Sequence, residues 1–169
     1  MTSQLKVDRI SPATGSEIII DGFEPSGGGK VLQYKYMTQS TEIVSTSSDW
    51  IDTGFDLDFT PTSNTSALKI TASLKVEGYM DNSIRSSKTN LRLMRDATNI
   101  YEIERGYYRN MSNSTNNRGL LGWIDMNWID MPNSTSTINY KVQFQNGNTN
   151  STVFESSSPA LFEITEIEL

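Results

Sequence analysis

The sequence predicts an all-β fold, an antiparallel, jelly-roll-like β-sandwich head that is preceded by an extended N-terminal arm. Three observations lead to this prediction. Apolar residues are only 36% of the 169 residues, a share that suits antiparallel sheets with one face in water. Segments with two-residue apolar periodicity recur along the chain, separated by turns rich in Ser, Asn and Gly. No segment keeps a helical period over a believable helix length.

Residues 1–29 are predicted to form the arm and residues 30–169 the head. Two short strand-like stretches of the arm flank a turn at residues 11–16, and Ser26-Gly27-Gly28-Gly29 supplies a flexible break. The arm has too few apolar side chains to close a core, because an isolated two-stranded hairpin is marginal in water. We therefore expect those side chains to attach to another surface. They are Leu5, Val7, Ile10, Ile18, Ile20 and Phe23.

The strands of the head follow one another after residue 30. The clearest prediction covers residues 68–77, in which five apolar residues alternate with Lys, Thr, Ser and Glu. Residues 138–145 repeat this pattern. At the C-terminus Phe162 and Ile164 share a face while Ile167 is out of phase, which predicts a β-bulge near Thr165 and Glu166.

Residues 91–108 are the one stretch in which a helix competes with a hairpin. A helical apolar face is poorly matched there, whereas Asp96-Ala97-Thr98-Asn99 has turn chemistry, so the sequence favours a hairpin. An odd-length loop of residues 97–99 gives the register with the better cross-strand pairs. The pairs predicted by this register are Leu93 with Ile103 and Arg92 with Glu104.

Composition restricts the chemistry. The chain has no His and no Cys, which removes the commonest general base, thiol nucleophiles, disulfides and the usual zinc ligands. We expect no catalytic residue, no metal and no cofactor. A net charge of -6 disfavours nucleic acid as a partner. No secretory signal is visible, and the longest aliphatic run, Ile18-Ile19-Ile20, is too short to insert in a membrane.

Two pairs of carboxylates could support other functions. Asp56 and Asp58 lie two residues apart on one face of a predicted strand, at a separation of about 6.6 Å, near the range used by inverting glycosidases. An acidic pair on a solvent-exposed sheet face is the favoured interpretation. Asp125 and Asp130 could contribute to a calcium site, but no loop of regularly spaced oxygen ligands supports one.

Aromatic residues are the candidate binding residues. Trp123 and Trp128 occur in a repeated Trp-Ile-Asp-Met, and their odd spacing predicts that they take opposite faces of a strand. The outward one could bind a sugar ring or a partner side chain, although packing in the core or between subunits is the favoured role for both. Tyr107 and Tyr108 stand at the root of a long polar loop, where recognition and a simple spacer are equally supported.

Several short motifs, in their order along the chain, resemble small virion structural and tail-fibre proteins of tailed bacteriophages, especially marine and cyanobacterial phages. The segments are Leu5-Lys6-Val7-Asp8-Arg9-Ile10, Gly29-Lys30-Val31-Leu32-Gln33, Trp50-Ile51-Asp52-Thr53-Gly54-Phe55, Phe59-Thr60-Pro61-Thr62-Ser63, Leu91-Arg92-Leu93-Met94-Arg95, residues 131–144 and residues 156–167. The resemblance implies a β-sandwich head that forms homotrimers and an arm that attaches to the particle or threads between subunits.

The function expected from these observations is a non-enzymatic virion structural protein: a short fibre, a spike or a capsid decoration protein. Its expected location is the virion, assembled in the host cytoplasm, with other capsid or tail proteins as partners and host-surface glycan as a further candidate. A carbohydrate-binding module is the alternative, and a glycan-cleaving enzyme that uses Asp56 and Asp58 is the third hypothesis.

Overall fold

A computed structural model describes residues 29–80, 86–110, 118–146, 151–154 and 160–169 of the protein. Except for Gly29, the predicted arm lies outside the described residues, and so do its attachment side chains. Within the described ranges no helix is long and apolar enough to cross a membrane.

Ten strands make up the described part of the chain, which confirms the all-β prediction. They are β1 (Val31–Gln39), β2 (Ile43–Ser45), β3 (Trp50–Phe59), β4 (Ala67–Met80), β5 (Ser86–Arg95), β6 (Thr98–Asn110), β7 (Arg118–Asp130), β8 (Ile138–Asn146), β9 (Ser151–Phe154) and β10 (Ala160–Ile167). All strand pairs are antiparallel.

The strands pair in a nested order: the first strand pairs with the last, the second with the second to last, and so on. β1 pairs with β10, β2 with β9, β3 with β8, β4 with β7 and β5 with β6. This is one long antiparallel hairpin rolled into two sheets, the arrangement of a jelly roll. The larger sheet contains β1, β10, β4, β7, β9 and β2, and the smaller sheet runs β3-β8-β5-β6. The predicted β-sandwich is confirmed.

The core fills the space between the two sheets. The predicted alternations are confirmed: Leu68, Ile70, Ala72, Leu74 and Val76 of β4 all point inward. They meet the inward residues of the smaller sheet, including Tyr140, Val142 and Phe144 of β8. Burial of these rows removes apolar surface from water, which is the main force that holds the two sheets together.

One flank of the sandwich is closed by polar side chains of β1. Gln33 donates to the carbonyl oxygen of Thr60 at 2.7 Å, and Lys35 donates to that of Asp58 at 2.6 Å. Gln39 likewise donates to the carbonyl of Thr53 at 3.1 Å. These bonds satisfy backbone acceptors along the free edge of β3, which would otherwise be open to another strand.

The opposite flank is closed by an aromatic stack. Trp128 of β7 lies on Tyr101 of β6, with ring centroids 4.6 Å apart and planes inclined by 14°. The two residues come from different sheets, and both pack against the core. Trp128 therefore seals the sandwich where the two edge strands face each other.

Glu166 is fully buried in the row where an apolar residue would be expected. Ser66 Oγ donates to its carboxylate at 2.5 Å, Gln33 Nε2 at 2.6 Å, and the Thr62 and Ser63 amides at 2.9 and 3.2 Å. Burial alone would raise the pKa of Glu166, but these donors outweigh it and lower the pKa to about 2. The carboxylate joins β10 and β1 to the loop before β4.

The bulge predicted near Thr165 and Glu166 is wrong. Burial alternates without interruption along β10, and its register with β4 is regular. The register shift lies in the facing strand, between Val31 and Gln33 of β1. The bulge was predicted because a charged residue such as Glu166 was expected to face outward. Glu166 in fact occupies an inward position.

The hairpin predicted in residues 91–108 is confirmed, but its predicted register is wrong. The turn has two residues, Asp96 and Ala97, so that Arg95 pairs with Thr98. A register shift follows at once, and the Cα partners become Leu93 with Tyr101, Arg92 with Glu102 and Leu91 with Ile103. Asp96 has a φ of 51°, and its amide donates to the Asn139 carbonyl at 2.7 Å. The extra residue in β6 does what the odd loop was expected to do, since it places core-packed residues, Tyr101 and Ile103, opposite Leu93 and Leu91.

Acid should weaken the fold through Glu166. Its folded pKa of about 2 lies below the unfolded value of 4.5, so its contribution is complete above about pH 5 and is lost as the pH falls toward 2. A shift of this size corresponds to about 3 kcal/mol. We expect Glu166→Gln to lose stability of that order at pH 7, because an amide places a donor against the converging donors. Urea unfolding from pH 7 to pH 2.5 should show a flatter pH dependence for the variant.

Glu104→Gln is the matched control, since Glu104 is a strand glutamate that is exposed on β6. It should retain the stability of the parent at pH 7 and its acid dependence. An unchanged pH profile in Glu166→Gln would contradict the role given to the buried carboxylate.

Candidate functional site

The strongly exposed large apolar side chains of the described molecule are associated with the larger sheet. Six lie in strands of that sheet, and two lie one or two residues after its strands β7 and β10. The eight are Val31, Tyr34, Tyr36, Val44, Trp123, Ile129, Met131 and Leu169. No strand of the smaller sheet carries a large apolar residue of this exposure among the described side chains. Exposed apolar surface that is gathered on one face is typical of an interaction site.

Two tyrosines form the β1 part of this surface. Tyr34 and Tyr36 are 51% and 60% exposed, and their rings stack with centroids 5.7 Å apart. The Tyr34 hydroxyl donates to Glu163 Oε2 at 2.8 Å. This hydrogen bond, more than any other cause, raises the pKa of Tyr34. The two stacked rings thus form an exposed aromatic surface, held in place by the hydrogen bond to the Glu163 carboxylate.

An open depression forms the β7 part of the surface. Its volume is about 350 Å³, and Lys69, Asn127, Trp128 and Ile129 line it. Ile129 is half exposed, so the depression offers apolar surface with an ammonium group at its margin.

Polar residues and Trp123 continue the β7 side along the strand. Trp123 is 52% exposed and is the Cα partner of Lys75. Beside it, Ser73 Oγ donates to Asp125 at 2.5 Å, and Thr71 Oγ1 donates to Asn127 at 3.3 Å.

The strand register places the two parts at the same height on the sheet. One row across the outer face contains Tyr34, Thr165, Lys69 and Ile129. The next row contains Tyr36, Glu163, Thr71 and Asn127. The tyrosines and the depression therefore stand at opposite edges of the same two rows, three strand spacings or about 14 Å apart.

The outer face of the smaller sheet is different, because its polar side chains bond to one another. Arg92 Nε donates to Gln143 at 2.7 Å, and Gln143 donates to Asp52 at 2.6 Å. The Arg92 guanidinium also lies 4.4 Å from the ring centroid of Trp50, a cation–π contact.

Asp56 and Asp58 belong to this polar face. Both are exposed, and the Asn139 side-chain amide donates to Asp56 and to Asp58, the latter at 2.9 Å. The favoured interpretation, an acidic pair on the solvent face of a sheet, agrees with this geometry.

Asp125 and Asp130 face opposite sides of β7, so they cannot share a calcium ion. Asp130 points inward, where Arg95 Nη1 lies 2.9 Å from Oδ1 and the Tyr140 hydroxyl donates to Oδ2 at 2.6 Å. Burial, and then the bond to Asp130, raise the pKa of Tyr140. This cluster ties the two sheets together. In the described ranges no group of three or more metal-ligating side chains is close enough to hold a metal ion.

The predicted aromatic residues have different surroundings. Trp123 and Trp128 do take opposite faces of β7, as their spacing predicts. Tyr107 and Tyr108 lie in β6, opposite Thr89 and Lys88, and the loop that follows lies outside the described residues. The binding roles of all four remain predictions.

Sequence reasoning missed Tyr34, Tyr36 and Ile129 as surface residues. On β1 the usual polarity is reversed, since Gln33 and Lys35 turn toward the other sheet while the tyrosines turn outward. A strand that alternates Tyr with Lys and Gln gives the same pattern in either orientation, so only the packing of the second sheet decides it.

No protein-family model and no curated protein matches the sequence. A structure of infectious bursal disease virus, Gt strain, aligns with a TM-score of 0.44 and 10% identity over 90% of this chain and 43% of that one. A crystal structure of the infectious bursal disease virus VP2 subviral particle aligns with a TM-score of 0.40 and 14% identity, over 90% and 42%. The chain thus spans less than half of the chains it matches, and likeness at this level carries no functional inference.

The two tryptophans should differ in their contribution to stability. Trp128→Ala removes the aromatic stack that closes the sandwich, and we expect a loss of about 3 kcal/mol in the free energy of unfolding. Trp123→Ala removes a half-exposed ring, and its effect should stay within about 0.5 kcal/mol. Urea unfolding of both variants measures the difference. Equal losses would contradict the assignment of the two faces.

Proposed function

We propose that the protein is a non-enzymatic structural protein of a tailed-bacteriophage virion, a homotrimeric short fibre, spike or capsid decoration protein. In this proposal the head of residues 30–169 associates with two further copies. The arm of residues 1–29 fixes the trimer to other capsid or tail proteins.

The observation that carries the proposal is the gathering of exposed apolar side chains on one outer face of a jelly roll. Jelly rolls occur in viral capsid proteins, lectins and cupins, so the fold alone does not choose among them. A sheet that exposes Tyr34, Tyr36, Trp123 and Ile129 favours assembly, because apolar surface of this kind is ordinarily covered in the functional state. The ordered motifs that resemble phage virion proteins support the same choice.

The polar face supports a structural role over catalysis. Asp56 and Asp58 project from an open sheet face and share one amide, whereas a glycosidase needs two carboxylates on either side of a bound sugar. Incubation with host envelope glycans should therefore release no new reducing ends, and release that is lost in Asp58→Asn would favour the enzyme.

A carbohydrate-binding function is the second candidate, and the outer face near Trp123 favours it. The indole stands beside Asp125, Ser73 and Lys75 on neighbouring positions, a combination of flat apolar surface and hydrogen-bonding groups that suits a sugar ring. Tyr107 and Tyr108 are further candidates for contact with a host-surface glycan.

A glycan array probed with the full chain tests this second function. Binding that falls at least tenfold in Trp123→Ala, and stays unchanged in Val44→Ala, would support it. Val44 is a fair control because it is similarly exposed but lies on β2. Binding that is equal in both variants would remove Trp123 from the site.

Deletion of the arm tests the main proposal. We expect residues 30–169 to fold with the same subunit count as the full chain, because the core and the exposed apolar face both lie in the head. The fragment should fail to join particles that lack the protein, since the attachment residues Leu5 to Phe23 are gone. Light scattering after size-exclusion chromatography, thermal melting and particle sedimentation provide the three measurements. An unfolded fragment, or one that still incorporates normally, would show that the division into arm and head is wrong.

A further inference from the structure

We infer that the two edges of the larger sheet are the two halves of one subunit contact: the tyrosine pair of one copy packs into the β7 depression of the next. The tyrosine surface consists of Tyr34, Tyr36 and Glu163. The depression surface consists of Lys69, Asn127, Trp128 and Ile129. The inference rests on the homotrimer of the proposed function and assigns its interface.

The two surfaces are complementary in chemistry. Two stacked aromatic rings stand free at one edge, and the other edge offers an open apolar recess beside Trp128 and Ile129. The rings of one edge can fill the recess of the other, whereas like edges would oppose ring to ring or recess to recess. Glu163 and Lys69 lie on adjacent strands of the same copy, so the fit of rings to recess selects the contact.

The two surfaces also stand at the right height. A closed ring is generated by rotation without any rise along its axis. If the strands run along that axis, each residue at one edge meets the residue of the next copy in the same row. Tyr34 shares a row with Ile129, and Tyr36 shares a row with Asn127. The tyrosine rings of one copy therefore lie at the same height along the axis as the depression of the next copy.

The strand directions are compatible with this contact. β1 and β10, β10 and β4, and β4 and β7 are antiparallel pairs, so β1 and β7 run in opposite directions. Placed side by side, β1 of one copy and β7 of its neighbour continue the antiparallel order of the sheet. In the described residues β7 pairs only with β4, so its outer edge is available.

The β3 edge and the outer face of the smaller sheet offer no equivalent contact among the described residues. The free edge of β3 is covered by Gln33, Lys35 and Gln39 of the same chain. Its outer face is a network in which Arg92, Gln143 and Asp52 bond to one another. A second copy would have to break these bonds before it could pack there, so the larger sheet is the favoured contact.

Introduced cysteines test the contact directly, because the native chain has none. Thr38 and Asp125 are exposed and share the row next to the tyrosines, so that their replacement leaves the proposed contact intact. Within one chain they are about 14 Å apart, too far for a disulfide, which needs Cα atoms within about 7 Å. In the full-length double variant Thr38→Cys with Asp125→Cys, oxidation should produce covalent dimers and trimers on a non-reducing gel. Thr38→Cys with Thr98→Cys, whose second site lies on the smaller sheet, should remain monomeric on the gel.

Charge substitutions provide an independent readout. Tyr36→Glu and Ile129→Lys should each weaken trimer association about 100-fold or more in sedimentation, because each places a charge beside a like charge, Glu163 or Lys69, in an apolar contact. Val44→Glu makes the same kind of change at an equally exposed site outside the two rows, and it should leave the association unchanged. Thermal melting should show all three variants folded.

The outcomes distinguish the interface from the function on which it rests. A native trimer with the Thr38–Asp125 cross-link and the two charge effects supports the interface. A native trimer without the cross-link overturns this interface and leaves the trimer standing. A native monomer overturns the trimer itself, and the interface with it. Covalent ladders longer than three copies overturn the closed ring.

Discussion

The hydrogen bonding on both sides of β4 is the constraint on which the rest of the structure depends. This 14-residue strand pairs with β7 from Leu68 to Met80 on one side and with β10 and then β9 on the other. Because side chains alternate strictly along it, that double pairing fixes which residues of three neighbouring strands face the core. The inward row of β4 then positions the smaller sheet, and the outward rows define the exposed surface of the larger one.

Two buried carboxylates lie at one end of the core. Glu166 and Asp130 flank Leu68 in a single inward row, but each has a different task. Glu166 gathers the loop before β4 through Thr62, Ser63 and Ser66, while Asp130 receives Arg95 and Tyr140 from the opposite sheet. Charges are tolerated there because each oxygen has donors that replace water. An apolar core that ended in the same row would have left those loop amides without acceptors.

The sequence was sufficient for the fold class and for the strands whose apolar residues alternate, because β4 and β8 bury one face completely. It was insufficient where a charged residue is buried or an aromatic residue is exposed. Glu166 faces inward and Tyr36 faces outward, and both facts follow from partners that are distant in the chain. The register of the hairpin of β5 and β6 could not be predicted for a different reason. A two-residue turn with a register shift and a three-residue loop both keep Leu91 and Leu93 inward. The side-chain pattern alone therefore cannot distinguish these two turns. Of the candidate binding surface, spacing predicted that one of Trp123 and Trp128 faces outward but not which one, and the depression beside Ile129 requires the edge of β7 to be known.

The covering of β3 by side chains of β1 limits how copies of this protein can combine. In the described part of the chain, a foreign strand cannot extend the smaller sheet at β3 without first displacing Gln33, Lys35 and Gln39. Growth of an intermolecular fibre from that edge is opposed in the same way, a useful property for a chain whose other sheet exposes several apolar side chains.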